Sequence, residues 1–156
     1  MTNDVIAITT LLYRYGAMMD SGDFDGAAAL MTSARIRLGE GKEVPGSAMA
    51  ALWREMIILY PCGTPRTQHV ITNPIVEVDS SGMRAHCSAL YTVLQQTDVL
   101  PLQVIAAGRY EDEFIQEAGV WRFAFRDYTH FHFKGGLRHH LRTLSGGLGS
   151  SERTTG

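Results

Sequence analysis

The sequence has 156 residues, 45% of them hydrophobic and 19% charged, which is enough for one compact domain and too short for two cores. Fourteen Lys and Arg against sixteen Asp and Glu give a formal net charge of −2 and a pI near 6.3, so no broad basic field exists to hold nucleic acid or an anionic membrane. No apolar run approaches the roughly 20 residues that span a bilayer, and the opening stretch MTNDVIAITT has no basic leader; the expectation is a cytoplasmic protein that binds neither membrane nor nucleic acid.

From Val5 to Met19 apolar residues recur at Ile8, Leu11, Leu12, Tyr15, Met18 and Met19, the spacing of an amphipathic helix that Thr2, Asn3 or Asp4 can cap. Gly22 can take the left-handed conformation that ends it, and Asp23 can cap a short second helix reaching Met31. Arg35 to Val44, broken by Gly39-Glu40-Gly41, reads as a small strand pair or an irregular loop. Pro45-Gly46-Ser47 opens a third helix through Tyr60, which Pro61-Cys62-Gly63-Thr64-Pro65 stops. Beyond it lie four runs rich in β-branched and aromatic residues, about 66–79, 83–96, 103–116 and 120–133, with short connections. They predict an antiparallel meander, hence an α+β fold with helices on one face of a curved sheet and a pocket between the layers. Residues 1–142 form the expected single domain, and 143–156, rich in Gly, Ser and Thr, a flexible tail. Cys62 and Cys87 cannot make a disulfide scaffold and read as small buried hydrophobes.

Asp20 ends the first helix, where the helix dipole disfavours a carboxylate by about 0.3–1 kcal/mol. A histidine partner would offset that and gain a fixed tautomer, although aspartate is also an ordinary residue of such a turn. His69 shares one strand face with Ile71 and Asn73, either as a base or as a hydrogen-bonded structural residue. Asn73, before Pro74, fits a kink or bulge. In the last strand Trp121, Phe123 and Phe125 alternate with Arg122, Ala124, Arg126, Tyr128, His130 and His132. Arg126 and His130 therefore share a mixed face, which is either solvated or a polar pocket wall with an anion-stabilising guanidinium. The exposed aromatic face and long edge strands predict a homo-oligomer, a dimer or trimer. Six histidines show no metal-ligand spacing, and neither a nucleotide-binding glycine motif nor a GxSxG nucleophile is present; no metal and no cofactor are expected.

The order of elements, together with RTQHVITNPIVEV, AAGRYEDEF and GVWRFAFRDY, resembles the SnoaL-like branch of the nuclear transport factor-like superfamily over residues 4 to 135. The resemblance implies a conical fold around a deep apolar cavity, as in polyketide cyclases, scytalone dehydratase, ketosteroid isomerase, bile acid dehydratase and hexachlorocyclohexane dehydrochlorinase. It implies that Asp20 orients His69, which removes a substrate proton. Arg126, five residues after Trp121, matches the dehydrochlorinase arginine that stabilises the leaving anion. Tyr15 resembles the helix-one tyrosine of the bile acid enzyme, and Tyr91 and Tyr110 fall at cavity-lining strand positions. The second catalytic histidine of scytalone dehydratase has no counterpart in Ala89-Leu90-Tyr91-Thr92, leaving His130 to supply a second acid or base. The implied function is a cofactor-independent lyase or isomerase acting on a small hydrophobic cyclic compound. GRYEDEF and VWRFAFRDY also resemble the small subunit of aromatic-ring dioxygenases, which keeps a non-catalytic binding or structural module as the alternative.

Overall fold

A computed structural model describes residues 2–142; the predicted tail at 143–156 lies outside the described residues. Helix α1 (Thr2–Ser21) carries its apolar stripe into the core through Ile8, Leu12, Tyr15 and Met19. It ends at Gly22, whose φ of 77° is left-handed, and Asp23 then caps α2 (Phe24–Leu30) by accepting the Gly26 amide at 2.9 Å. The next segment is a hairpin of β1 (Arg35–Gly39) and β2 (Lys42–Pro45). A single 3₁₀ turn follows, then α3 (Met49–Met56). That helix is shorter than predicted because Ile57 turns extended and bridges Leu141, while the Ile58 amide donates to the His140 carbonyl at 2.9 Å. A tertiary partner takes the backbone groups that the helix would have used.

The strands β3 (Thr67–Val78), β4 (Arg84–Gln95), β5 (Gln103–Glu117), β6 (Val120–Asp127) and β7 (Phe131–Lys134) complete a curved, unclosed sheet of seven strands. The α+β architecture is the predicted one. The sheet runs in the order β2-β1-β6-β5-β4-β3, with β7 paired separately to β5. Its meander pairs are antiparallel, and the β1 hairpin extends it by a parallel pairing to β6. Helix α1 crosses the concave face, held near β6 by the Trp121 indole N–H donating to Asp4 at 3.0 Å. Over β3 it comes close because residue 16 is glycine: a Cβ there would stand 3.2 Å from Ile71 Cδ1 and 3.3 Å from His69 Cβ.

Bulges set which side chains point inward. Asn73, with φ of 53°, lies in a register shift of β3. Between Phe114↔Phe123 and Glu113↔Phe125 the partner strand gains Ala124, and the alternation of β6 reverses there. Trp121 and Phe123 therefore pack inward, Phe125 turns out beneath the guanidinium groups of Arg35 and Arg37, and Arg126 turns in. The predicted exposed aromatic face of this strand is thus not formed. The predicted last strand also breaks after Asp127, and the exposed aromatics, Phe131 and Phe133, belong to β7. Cys87 is buried, which pushes its thiol up to about 12, whereas Cys62 is exposed, contrary to expectation, in the turn that closes on Thr64.

Candidate active site

Asp20 stands at the last turn of α1, over the first residues of β3. One carboxylate oxygen accepts the Thr67 hydroxyl at 2.9 Å and lies 2.6 Å from His69 Nδ1; the other accepts the His69 amide at 2.7 Å. Three donors thus offset the position at a helix C-terminus. Because a carboxylate only accepts, the contact assigns the imidazole proton to Nδ1 and leaves Nε2 with its lone pair. The His69 side chain is 8% exposed and Asp20 21%.

His69 opens onto a cavity of about 160 Å³. Tyr15 and Met19 line it from α1, Trp53, Met56 and Ile57 from α3 and its exit, and Tyr91, Val93, Ile105, Ala106 and Tyr110 from the central strands. Tyr128, Phe131, Leu137, His140 and Leu141 close the other side. Hollows of about 450 to 640 Å³ elsewhere are open surface depressions that do not include His69.

The tyrosines form a connected wall. Tyr91 stacks on Tyr110 with centroids 4.3 Å apart, Tyr110 and Tyr15 meet edge to face, and the Tyr128 hydroxyl donates to that of Tyr15 at 2.8 Å. Burial raises the pKa of Tyr15, Tyr110 and Tyr128 well above the ordinary tyrosine value and pushes Tyr91 up to about 12. All four therefore stay protonated at neutral pH and cannot act as bases; Tyr128 donates its hydroxyl hydrogen to Tyr15, which leaves the hydroxyls of Tyr15, Tyr91 and Tyr110 as donors to developing negative charge.

Arg126 lies behind this wall. It is fully buried, grips Asp112 through two bonds of 2.7 Å, and sits 4.4 Å from the Tyr15 ring centroid and 4.0 Å from that of Tyr110. Burial works against its charge, but Asp112 outweighs burial and keeps the guanidinium protonated. Burial in turn pushes the Asp112 carboxyl up against the pull of Arg126. The pair is ionic, because a guanidinium does not give up its proton in a protein. Arg126 does not line the cavity; the Tyr15 and Tyr110 rings stand between it and the cavity-lining residues.

The structure therefore brings Asp20, His69, Tyr15, Tyr91 and Tyr110 together, and sets Arg126 one layer back. His130 is elsewhere. The chain turns after Asp127, and the His130 ring rests 3.5 Å from the Asp127 carboxylate, away from the cavity lining; the mixed face predicted for Arg126 and His130 is divided by that turn. His140 is the residue that sequence reasoning did not place: it was visible only as one of a histidine pair without metal-ligand spacing. Its ring lines the cavity, and burial, with His69 nearby, lowers its pKa to about 4, so it is neutral at physiological pH. Among the described residues no group of three or more His, Cys, Asp or Glu is arranged to hold a metal.

The model of the SnoaL-like domain matches residues 1–127 of the sequence. The chain belongs to the SnoaL-like family. Solved structures share this SnoaL-like fold at low identity. A protein of unknown function from Mycobacterium tuberculosis aligns with a TM-score of 0.64 and 22% identity over 91% of this chain and 74% of its own. A candidate scytalone dehydratase from Novosphingobium aromaticivorans aligns with a TM-score of 0.62 and 19% identity, covering 81% and 86%. The beta subunit of a candidate aromatic-ring-hydroxylating dioxygenase from the same organism aligns with a TM-score of 0.65 and 16% identity, covering 90% and 98%. No curated protein matches the sequence. Five lining residues of the SnoaL-like cavity, from Tyr128 onward, fall beyond the matched segment.

Proposed function

We propose that the protein is a cofactor-independent lyase or isomerase, of the dehydratase or dehydrohalogenase type, in which His69 is the base and Asp20 its orienter. The observation that carries this reading is the 2.6 Å contact between Asp20 and His69 Nδ1 at the edge of a mostly apolar cavity. His69 Nε2 takes a proton from carbon, and the electron pair of that bond forms a double bond or enolate. In an elimination the leaving group departs with its own bonding pair. The protonated Tyr15 and Tyr110 face the charge that develops, and Arg126 supports them from behind at 4.0 to 4.4 Å. An apolar, water-poor site strengthens each of these interactions.

Cavity size narrows the substrate. An apolar cavity of about 150 Å³ holds a benzene-sized guest, and this one, at about 160 Å³, suits a single six-membered ring with small substituents rather than a steroid. The deciding experiment screens oxygenated and halogenated monocyclic compounds for elimination or isomerisation, with wild type beside His69→Ala. General-base catalysis contributes about 10² to 10⁴ in rate, so His69→Ala is expected to lose at least that lower factor in kcat with ligand affinity nearly intact. Full turnover by His69→Ala would remove His69 from the mechanism.

The reading includes a cytoplasmic homo-oligomer, supported by two free thiols and by the exposed apolar side chains of Val104, Phe131 and Phe133 along β5 and β7. The same edge favours the second reading, a non-catalytic module that docks on a larger partner like the dioxygenase beta subunit it resembles in fold. In that case Asp20 and His69 substitutions would leave assembly unchanged.

A further inference from the structure

His140 has no part in the proton transfer described above, yet it is a polar group in the cavity lining, close enough to His69 and Asp20 to feel their charge. It sits on the strap formed by residues 137–142. The strap is fixed at several points: the Arg142 amide donates to the Met56 carbonyl at 2.8 Å, and the His139 carbonyl accepts both the Gln95 amide at 3.0 Å and the Tyr60 hydroxyl at 2.5 Å. The imidazole is therefore presented by a braced backbone rather than by a free end. Its Nδ1 is buried and has no hydrogen-bond partner. A buried polar atom left unpaired is costly, and native structures rarely keep one without a use. The nearby side chains Ile57, Leu137 and Leu141 are apolar and offer Nδ1 no partner, and the residue itself lines the cavity.

We propose that His140 is a substrate-orienting residue, whose imidazole hydrogen-bonds an oxygen substituent on a single-ring compound and so sets which C–H bond faces His69. This inference rests on the proposed function and narrows its substrate class. A neutral imidazole offers one donor and one acceptor. A hydroxyl answers either, and a ring carbonyl answers the donor. A carbon-bound halogen accepts hydrogen bonds poorly, so oxygenated rings are favoured over halogenated ones. Because burial and the nearby His69 both disfavour a charge on His140, it stays neutral when His69 takes a proton, and the hydrogen bond persists through the step. His140 accordingly contributes to binding and aim, and transfers no proton itself.

Phenol and toluene, which differ by a hydroxyl against a methyl, separate this idea from general apolar affinity. Titration calorimetry on the full chain is expected to show wild type preferring phenol by about tenfold or more, since a site built to hydrogen-bond a hydroxyl rejects the analogue lacking it. His140→Leu is expected to erase the preference while keeping toluene affinity. A preference that survives in His140→Leu, or is absent from wild type, overturns the proposal. Should that variant fail to fold, ¹⁵N-labelled wild type still decides: the His140 ring nitrogens must shift on adding phenol and not toluene, and unmoved resonances overturn the proposal. His69→Gln separates the two readings, because it should abolish turnover and retain the phenol preference. Turnover by His69→Gln refutes the base without touching His140. If neither compound binds wild type, the cavity takes no single-ring ligand and both readings fall.

Discussion

Replacing Asp20 by asparagine removes one charge and no atoms of consequence for packing, so its outcome follows from hydrogen-bond arithmetic. The carboxylate accepts from Thr67, from the His69 amide and from His69 Nδ1. An asparagine has one acceptor oxygen and one NH₂. Placing the NH₂ against the His69 amide would oppose two donors, so the oxygen must stay there and the NH₂ must face Thr67 and Nδ1. Thr67 can accept instead of donating, but Nδ1 must then lose its proton, which moves to Nε2. The proposed base would be turned off by a change of tautomer, not by loss of fold. Charge-assisted bonds contribute about 1.5–3 kcal/mol and neutral ones about 0.5–1.5. Relief of the helix-dipole conflict returns about 0.3–1 kcal/mol, so a net loss of about 1–2 kcal/mol is expected, small enough for the variant to fold. Long-range ¹⁵N–¹H correlation spectra read the tautomer directly and need no substrate, while urea unfolding reads the stability. An Asp20→Asn spectrum still showing Nδ1–H and a bare Nε2 would refute the reasoning, whatever the activity.

Other expectations bear on different parts of the molecule. Asp112→Ala strands the buried Arg126 charge and should cost about 3–5 kcal/mol, whereas Asp112→Leu combined with Arg126→Met should cost much less; thermal melts of the three proteins compare them. His140, lowered to about 4 in the folded chain against an ordinary 6.5, takes up a proton on unfolding between those values. Stability should therefore fall as pH drops from 6.5 towards 4, by up to about 3 kcal/mol at 1.36 kcal/mol per unit, and urea titrations of His140→Leu should show that component of the slope missing. Gly16→Val should push α1 off β3, since even a Cβ stands 3.2 to 3.3 Å from Ile71 and His69. A loss of about 1–3 kcal/mol is expected, together with a weakened His69 Nδ1–H signal in the same spectra. Phe133→Lys should shift the mass found by light scattering to the monomer, and an unchanged mass would place the interface elsewhere.

Periodicity was a sound guide where local pattern and tertiary packing agree. The stripe of α1, the Asp23 cap, the Gly22 stop and the three long strands follow from side-chain spacing and turn chemistry. It misled at Ala124, where one inserted residue without a Gly or Pro signal reverses the faces of β6 and carries Arg126 into the core. The break after Asp127, which ends β6 before His130, is what parts Arg126 and His130. Asp20 and His69 stand 49 positions apart and were linked by an electrostatic need at a helix end and by family resemblance rather than by spacing. His140 was out of reach, because its place depends on backbone bonds between two irregular segments, Met56 to Tyr60 and residues 137–142, that no side-chain pattern records.

The cavity is assembled from two stretches of chain, one inside the family-matched residues and one beyond them. The dyad and the tyrosines from the helix and central strands lie within the family-matched residues 1–127, while the strap that closes the mouth lies outside them. The strap is tied on mainly through backbone carbonyls and amides, and such bonds tolerate almost any side chain at the positions they join. Leu137, His140 and Leu141 can therefore be exchanged without disturbing His69 or the sheet that holds it. A library confined to the six residues 137–142 would vary one wall of the cavity while leaving the proposed base and its sheet unaltered.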